Sequence, residues 1–251
     1  MPRFFLEVAY KGTKYCGFQV QENAQTIQSE VEKAFATLHR RPVSLTGSSR
    51  TDAGVHALQN YFHFDDDQPI SPHFTYKMNA ILPRDIVAVR LLQMPPESHS
   101  RFEATSREYE YRIYREKNPF LQGISLFYPY ALDLESMQQA AALVQEQTYF
   151  FAFSKTNTQV KNFYCTIHKS QWFWRGEELV YNVEGNRFLR GMVRLLTATM
   201  LKVGRGKLTL DQFAAYFSTG EKCGHSIAAD GLFLKSVRYP AHYFEGAQEL
   251  S

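Results

Sequence analysis

The chain has 251 residues, of which 44% are hydrophobic and 21% charged, and its formal net charge is +3 with a sequence pI of about 8.6. This length allows one large domain or two smaller ones with a sizeable core, so neither disulfides nor metals are needed as staples. The mildly basic charge permits a polyanionic partner without requiring one.

The cysteines and histidines show no pattern of a disulfide framework or a metal site. Cys16, Cys165 and Cys223 are odd in number and widely separated, and the eight histidines lack the spacing of a zinc site. No run approaches the roughly 18 apolar residues of a membrane span, and the first residues lack the apolar core of a signal peptide. We therefore expect a cytoplasmic protein.

Strand and helix patterns alternate in the first hundred residues. Alternating apolar residues predict a strand at 4–10, followed by a glycine-bearing loop at 11–19. Thr26 can cap a helix in which Ile27 and Val31 fall at helical spacing, and Pro42 stops it. Further predicted elements are strands at 43–46, 60–64 and 86–92, an acidic surface turn at 65–67 and a helix at 74–80.

The alternation continues in the rest of the chain. Residues 107–115 form a strand pattern that places Tyr109 and Tyr111 on one face. Asp133 can cap a helix over the following residues. The remaining predictions are that helix at 134–147, a hairpin with strands at 171–174 and 179–184, helices at 187–203 and 211–217, and a strand at 232–239.

The order strand, helix, strands, helix occurs twice along the chain. This repetition predicts an α/β protein of two similar halves packed side by side, residues 1–104 and residues 105–251. Several connections have hairpin length, so we expect mostly antiparallel strands in both halves.

A polar loop at residues 47–57 is the one stretch that helix and strand packing do not require. It reads Gly-Ser-Ser-Arg-Thr-Asp-Ala-Gly-Val-His-Ala and places Arg50 two residues before Asp52. One interpretation is a turn that carries a surface ion pair worth little, and the residue types alone favour it. The other is an ionised carboxylate on a glycine-flanked turn, acting as a nucleophile or a general base.

Two later segments also allow two interpretations each. Tyr109 and Tyr111 are either core aromatics of a strand, which is favoured for Tyr111, or a surface that stacks on a planar ring. From residue 187 to 207 there are six positive residues and no acid. On a helix, Arg187, Arg190 and Arg194 would share one narrow arc, as a solvated stripe or as a phosphate-binding triplet.

The loop at 47–57 closely resembles the active-site signature of the TruA family of tRNA pseudouridine synthases, in which Arg-Thr-Asp-Ala-Gly-Val-His is nearly a fingerprint. Other family motifs are resembled, in the family's order, at residues 10–19, 79–86, 101–111, 186–194 and 231–234. The resemblance runs from about residue 4 to 240. It implies the pseudouridine synthase fold, in which the two halves form one continuous sheet around a central basic cleft.

The resemblance also implies the catalytic residues. Asp52 matches the essential carboxylate of the isomerisation of uridine to pseudouridine, with Arg50 beside it. Arg194 matches the basic residue that pairs with this carboxylate. With Arg194 in that role, Arg50 is free to intrude into the RNA and hold the site open once the base has left.

The same resemblance implies the contacts to substrate. Tyr109 matches the residue that stacks on the target uracil, and Leu232 matches an apolar residue of the uracil pocket. Arg187 and Arg190 are candidates for RNA phosphate. The implied substrate is the anticodon arm of tRNA at positions 38 to 40, bound across a homodimer, and the redox-neutral reaction needs no cofactor.

The sequence departs from the family pattern in places. Phe18 replaces a usual tryptophan, the family's His-Asp-Phe-x-Ser-Phe segment appears at 148–153 without its acid, and a usual Arg-Thr is replaced around Lys161 and Asn162. These differences concern peripheral RNA contacts. Two other functions remain alternatives: a non-catalytic RNA-binding module or folding helper, and a carboxylate-dependent hydrolase, which would need a second acid that no motif supplies.

Overall fold

The computed structural model describes residues 1–156 and 160–250. The chain forms two compact units, one made of Met1–Thr105 with Leu234–Ser251 and the other of Ser106–Phe233. Both units combine helices with mostly antiparallel strands. The predicted α/β class is therefore confirmed.

The first unit contains a sheet in which β1 is central. Its elements up to residue 94 are β1 (Arg3–Tyr10), α1 (Ile27–His39), β2 (Thr46–Gly47), β3 (His56–Asp65), α2 (Phe74–Ile81) and β4 (Ile86–Met94). β1 is antiparallel to both β3 and β4, and β2 is antiparallel to β3. The loop of interest joins β2 to β3.

Helix α1 begins where its sequence predicts. The Thr26 side chain accepts from the Ser29 N–H and the Ser29 side chain accepts from the Thr26 N–H, which forms a reciprocal capping box. Ile27, Val31 and Phe35 are buried along one face. Burial of each such side chain contributes about 1.5–3 kcal/mol to folding.

The second unit is built around an antiparallel sheet of three long strands. Its elements are β5 (Ser106–Tyr114), β6 (Leu126–Phe127), α3 (Leu134–Glu146), β7 (Ile167–Arg175), β8 (Glu178–Gly185), α4 (Met192–Gly204) and α5 (Leu210–Ala215). β8 lies between β5 and β7 and is antiparallel to both, whereas β6 is parallel to β5. Asp133 caps α3, as its sequence predicts, by accepting from the Glu135 and Ser136 N–H groups.

The last elements are β9 (Leu232–Arg238) and β10 (Gln248–Glu249), and β10 pairs with β4. The Val237 N–H donates to the Gln59 side chain over 3.2 Å, and the Arg238 carbonyl accepts from the Thr105 N–H over 2.8 Å. These bonds tie the chain from residue 234 onward to the first unit. The predicted halves, residues 1–104 and 105–251, therefore differ from the compact units at their C-terminal end.

Helix α4 begins later than its sequence pattern predicts. The pattern predicts a helix from 187, but Gly191 precedes the helix in the left-handed region at φ +74. Glycine enters this region without steric cost, so the chain can turn sharply into the helix there. Arg187 and Arg190 consequently lie before the helix, and the predicted arc of three arginines on one helix is wrong.

Two smaller predictions are also corrected. Asp66 is not part of an acidic surface turn, because it is 8% exposed and accepts from Arg41 over 2.7 Å. The strand predicted at 43–46 is shorter and lies at Thr46–Gly47. Within residues 1–156 and 160–250, no helix is long and apolar enough to cross a membrane.

Candidate active-site residues

The loop between β2 and β3 is polar but largely buried. Ser48, Ser49 and Thr51 are each less than 8% exposed, whereas Asp52 is half-buried and Arg50 is exposed. The Ser48 N–H donates to a carbonyl of β3, so pairing with that strand continues into the loop. The polar side chains are thus turned inward and stabilise the loop instead of facing solvent.

A buried network of hydrogen bonds fixes the residues on both sides of Arg50. The Asn60 side chain donates to the Ser49 carbonyl over 2.8 Å and to the Tyr10 hydroxyl over 3.2 Å. The same hydroxyl lies 2.8 Å from the Thr51 hydroxyl. Asn60 is fully buried in a strand that is otherwise mostly apolar, and satisfied buried networks of this kind favour one conformation.

Asp52 occupies the first position of a tight turn. Its carbonyl accepts from the Val55 N–H over 3.1 Å, and Gly54 has a φ of +79 within the turn. The turn presents the half-buried carboxylate on a backbone of defined shape. No hydrogen bond or ion pair to a described residue engages the Arg50 guanidinium, so the surface ion pair with Asp52 is not formed.

The glycine-bearing segment at 11–19 packs directly against this turn. The Phe18 N–H donates to the Thr51 carbonyl over 3.1 Å, and the Gly12 N–H donates to Nδ1 of the buried His56 over 3.0 Å. A Cβ at Gly12 would lie 2.0 Å from the Val55 carbonyl oxygen. Two sequence motifs that are far apart in the chain therefore form one structural piece.

Gly12→Ala should destabilise the protein by about 1–3 kcal/mol, since the added methyl group overpacks the turn that carries Asp52. The unfolding midpoint in denaturant measures this loss. Gly246→Ala measures a different cost, because nothing lies within 4 Å of its Cβ position and its φ of +78 makes the added methyl group strain the backbone alone. A Gly12→Ala protein as stable as the wild type would contradict the close packing.

The motif at 79–86 makes hydrogen bonds to β4 and to the segment at 11–19. The Asn79 side chain donates to the Ala88 carbonyl and accepts from the Ala88 N–H, each over 2.8 Å, which joins α2 to β4. Asp85 accepts from the Tyr15 hydroxyl over 2.5 Å. This motif is therefore structural in the first unit.

In the second unit, β5 carries the two tyrosines. Tyr111 is fully buried and its hydroxyl donates to the Ala228 carbonyl over 2.8 Å. Burial raises the pKa of Tyr111 well above its usual range, so the hydroxyl stays a donor. Tyr109 is 9% exposed, and its ring meets that of Phe188 edge-on at 5.2 Å.

Arg194 and Tyr111 hold the segment that leads into β9. The Arg194 Nε, on the first turn of α4, donates to the Ile227 carbonyl over 2.6 Å. Leu232 is 5% exposed and its N–H donates to the Ala229 carbonyl over 2.8 Å. Tyr111, Arg194 and Leu232 therefore belong to one connected region of this unit, although they are widely spaced in sequence.

The other two arginines lie on the turn before α4. Arg187 is half-buried and Arg190 is exposed, and the Arg190 carbonyl accepts from the Lys155 N–H over 3.2 Å. Carbon atoms of the Lys155 side chain lie 3.1 Å from where a Cβ of Gly191 would stand. A loop turn thus presents these arginines, together with Lys155.

The face of β5 opposite the tyrosines carries buried charges that sequence reasoning missed. Glu110 is 2% exposed and accepts from Arg175 over 2.8 Å and from Arg112 over 3.2 Å. The Arg112 guanidinium lies 3.7 Å above the Phe233 ring, and burial lowers its pKa. The alternation of acids and tyrosines in β5 is typical of a strand with a polar, solvent-facing side. Only the arginine partners show that this side is buried.

Among the residues that the structure describes, no three His, Cys, Asp or Glu side chains gather closely enough to hold a metal ion.

Comparison with known proteins gives consistent matches along the chain. The profile of a family described as tRNA pseudouridine synthase matches residues 7–103 and 140–240. A Parabacteroides distasonis protein named tRNA pseudouridine synthase A is 39% identical in an alignment of 248 residues that covers 97% of this chain and 98% of that protein. Proteins of the same name from Porphyromonas gingivalis and an Exiguobacterium species are 39% and 36% identical, covering 97% and 95% of this chain and 100% and 98% of their own lengths.

Proposed function

This chain belongs to the tRNA pseudouridine synthase family, and on that premise we propose that it isomerises uridine to pseudouridine in the anticodon arm of tRNA, at positions 38 to 40, with Asp52 as the essential carboxylate. The observation that carries the proposal is the Asp52 turn. Buried bonds from Tyr10 and Asn60 fix the residues beside it, and the carboxylate itself remains half-buried. A rigid support of this kind is what a catalytic group needs.

The reaction sets what the site must do. The bond between N1 of the uracil and C1′ of the ribose breaks, and a bond between C5 and C1′ forms. C5 loses a proton and N1 gains one, so the product is an isomer and no electrons are exchanged. A carboxylate can serve by adding to C6 of the base, by adding to C1′, or by removing a sugar proton, and each role requires the ionised form of Asp52.

The target base must first leave the RNA stack, at a cost of a few kcal/mol. Tyr109 is the proposed stacking partner of the extruded uracil, and Leu232 the apolar wall beside it. Tyr109 is 9% and Leu232 5% exposed, so each offers only a small part of its surface to a ligand. The two side chains are held differently. The Tyr109 ring contacts the Phe188 ring, whereas Leu232 is held by a backbone turn.

The arginines have separate proposed roles. Arg194 serves the reacting carboxylate, and its Nε bond to the Ile227 carbonyl fixes the side chain. Arg187 and Arg190 contact phosphates from the turn before α4. Arg50 is exposed and makes no hydrogen bond or ion pair with a described residue, so it is able to enter the RNA and occupy the space that the extruded base leaves.

The direct test supplies purified protein with unmodified tRNA, without added metal or nucleotide. We expect pseudouridine in the anticodon arm, at one or more of positions 38 to 40, when the product is mapped with nucleotide resolution. Conversion at other positions would refute the substrate assignment alone. Binding of tRNA without any conversion would refute the enzyme and favour a non-catalytic RNA-binding module.

A further inference from the structure

Two short segments of the second unit, at residues 148–149 and 164–165, pair with each other and expose two tyrosines to solvent. The Cys165 N–H donates to the Thr148 carbonyl over 2.9 Å, and Tyr149 lies opposite Tyr164 in this antiparallel ribbon. The two rings are 5.1 Å apart, and Tyr149 and Tyr164 are 39% and 61% exposed. Phe150 and Cys165 are buried at 0% and 2% and anchor the ribbon from its other face.

A groove of about 500 Å³ lies beside Tyr164. Pockets that accept small ligands have volumes of roughly 300–1,000 Å³. Thr166 and Asn186 join its two sides, since the Thr166 N–H donates to Asn186 Oδ1 over 2.9 Å and the Asn186 N–H donates to the Thr166 carbonyl over 3.0 Å. The groove is therefore braced by one backbone bond and one bond to a side chain. We refer to it as the Tyr164 groove, and its polar lining consists of Thr148, Asn162, Tyr164, Thr166, Asn186 and Arg187.

The two asparagines that line this groove have N–H donors available to a ligand. The carboxamide oxygens of Asn162 and Asn186 accept from the Tyr164 and Thr166 N–H groups, each over 2.9 Å. Their Nδ2 groups have no partner among residues 1–156 and 160–250. Two amide donors at the wall of one groove call for a ligand rich in acceptor oxygens.

The charge of the groove also favours a ligand rich in oxygen acceptors, and specifically an anion. Arg187 lines it and has no hydrogen bond or ion pair to any residue in the described ranges, and no carboxylate lines it. Burial raises the pKa of the Cys165 thiol to about 11, so the thiol is neutral and supplies no counter-ion for Arg187. A guanidinium can bind a phosphate through two of its oxygens, so a phosphate is a fitting ligand for Arg187.

From these observations we infer that the Tyr164 groove binds an unpaired nucleotide of the tRNA other than the target uridine. Tyr164 stacks on its base, Arg187 contacts its phosphate, and the amides of Asn162 and Asn186 donate to its oxygens. Exposed aromatic rings beside a cation are the means by which proteins bind single-stranded nucleotides. This inference rests on the proposed function, because it adds a contact to the same substrate.

The test measures tRNA binding at several salt concentrations and steady-state kinetics for Tyr164→Ala, Tyr164→Phe and Arg187→Gln. Tyr164→Ala should raise Kd and KM for tRNA about tenfold, with a smaller change in kcat, since loss of one stacked base is of that size. Tyr164→Phe keeps the ring and should restore binding. Arg187→Gln should reduce the slope of log Kd against log salt by about one, whereas Tyr164→Ala should leave the slope unchanged.

Tyr76→Ala is the matched control, because Tyr76 is 77% exposed on α2 of the first unit. It should bind tRNA like the wild type. A wild type that converts uridine while Tyr164→Ala keeps its Kd and KM would overturn the groove alone. A lower kcat at unchanged Kd would also overturn it, since Tyr164 would then act through the structure of the unit. A wild type that fails to convert any tRNA would overturn the proposed function instead.

Discussion

Asp52→Asn is expected to slow pseudouridine formation by roughly 10⁴-fold or more, because an amide can neither add to the substrate nor accept its proton. The substitution preserves the size of the side chain and the bond from the Val55 N–H to the carbonyl of residue 52. Affinity for tRNA should be unchanged or slightly higher, since removal of an anion reduces repulsion of phosphate. Single-turnover rates and tRNA dissociation constants measure the two effects separately.

Asp67→Asn is the matched control for this loss. Asp67 is exposed in the same unit, so the variant removes the same charge without touching the turn. It should bind and convert tRNA like the wild type. An Asp52→Asn protein with more than about a hundredth of the wild-type rate would contradict the role of Asp52, because general acid or base catalysis alone is worth roughly 10²–10⁴-fold.

Arg194→Ala and Arg50→Ala are expected to differ in their dependence on substrate structure. Arg194→Ala should lower kcat by roughly 10²-fold or more on folded tRNA and on a short flexible RNA alike, since its role is in the chemical step. Arg50→Ala should lower the rate roughly 10–100-fold on folded tRNA and much less on the flexible RNA. The reason is that extruding a base costs a few kcal/mol in a structured arm and little in an unstacked strand.

In the same experiment, Arg194→Lys separates the effect of the positive charge from that of the bond to the Ile227 carbonyl. Lysine retains the positive charge but lacks the Nε donor that reaches the Ile227 carbonyl over 2.6 Å. A partial return of kcat with Arg194→Lys would support the electrostatic role. Equal losses for Arg50→Ala on both substrates, or loss for Arg194→Ala on folded tRNA alone, would contradict the division of roles between the two arginines.

Local sequence signals predicted the parts of the fold that local chemistry decides. Thr26 and Asp133 have side chains that cap helices wherever the following residues can form one, and both helices begin there. Gly191 shows the limit of such signals. Its neighbours are apolar at helical spacing, yet its left-handed φ delays α4 to Met192, and periodicity alone does not register one residue with an unusual φ.

Features that depend on distant partners could not be predicted. Asp66 stands in an acidic run that is typical of a surface turn, but Arg41 buries it. Glu110 lies in an alternating strand, and its two arginine partners come from the same strand and from β7. The extent of the first unit likewise depends on bonds that residues 237 and 238 make with chain more than 130 residues earlier.

Some of the candidate site residues could be predicted from the sequence, and others could not. The Asp52 loop stood out because helix and strand packing do not require a polar stretch rich in glycine between apolar strands, whereas its roles in catalysis came from family resemblance. Asn60, which holds the loop through the Ser49 carbonyl and the Tyr10 hydroxyl, escaped notice as one polar residue within a strand. Tyr164 escaped because only its pairing with Tyr149 makes the ring part of a groove.

Loss of hydrogen from C5 of the target uridine tests the central claim most directly, because isomerisation replaces the C5–H bond by the C5–C1′ bond. Transfer RNA carrying tritium at C5 of its uridines would be incubated with excess protein in a single turnover. The wild type should release tritium to water from the anticodon arm, and Asp52→Asn should release none while still binding the tRNA. Release by Asp52→Asn at the wild-type rate, or no release by the wild type, would contradict the assignment of Asp52 as the catalytic carboxylate of a tRNA pseudouridine synthase.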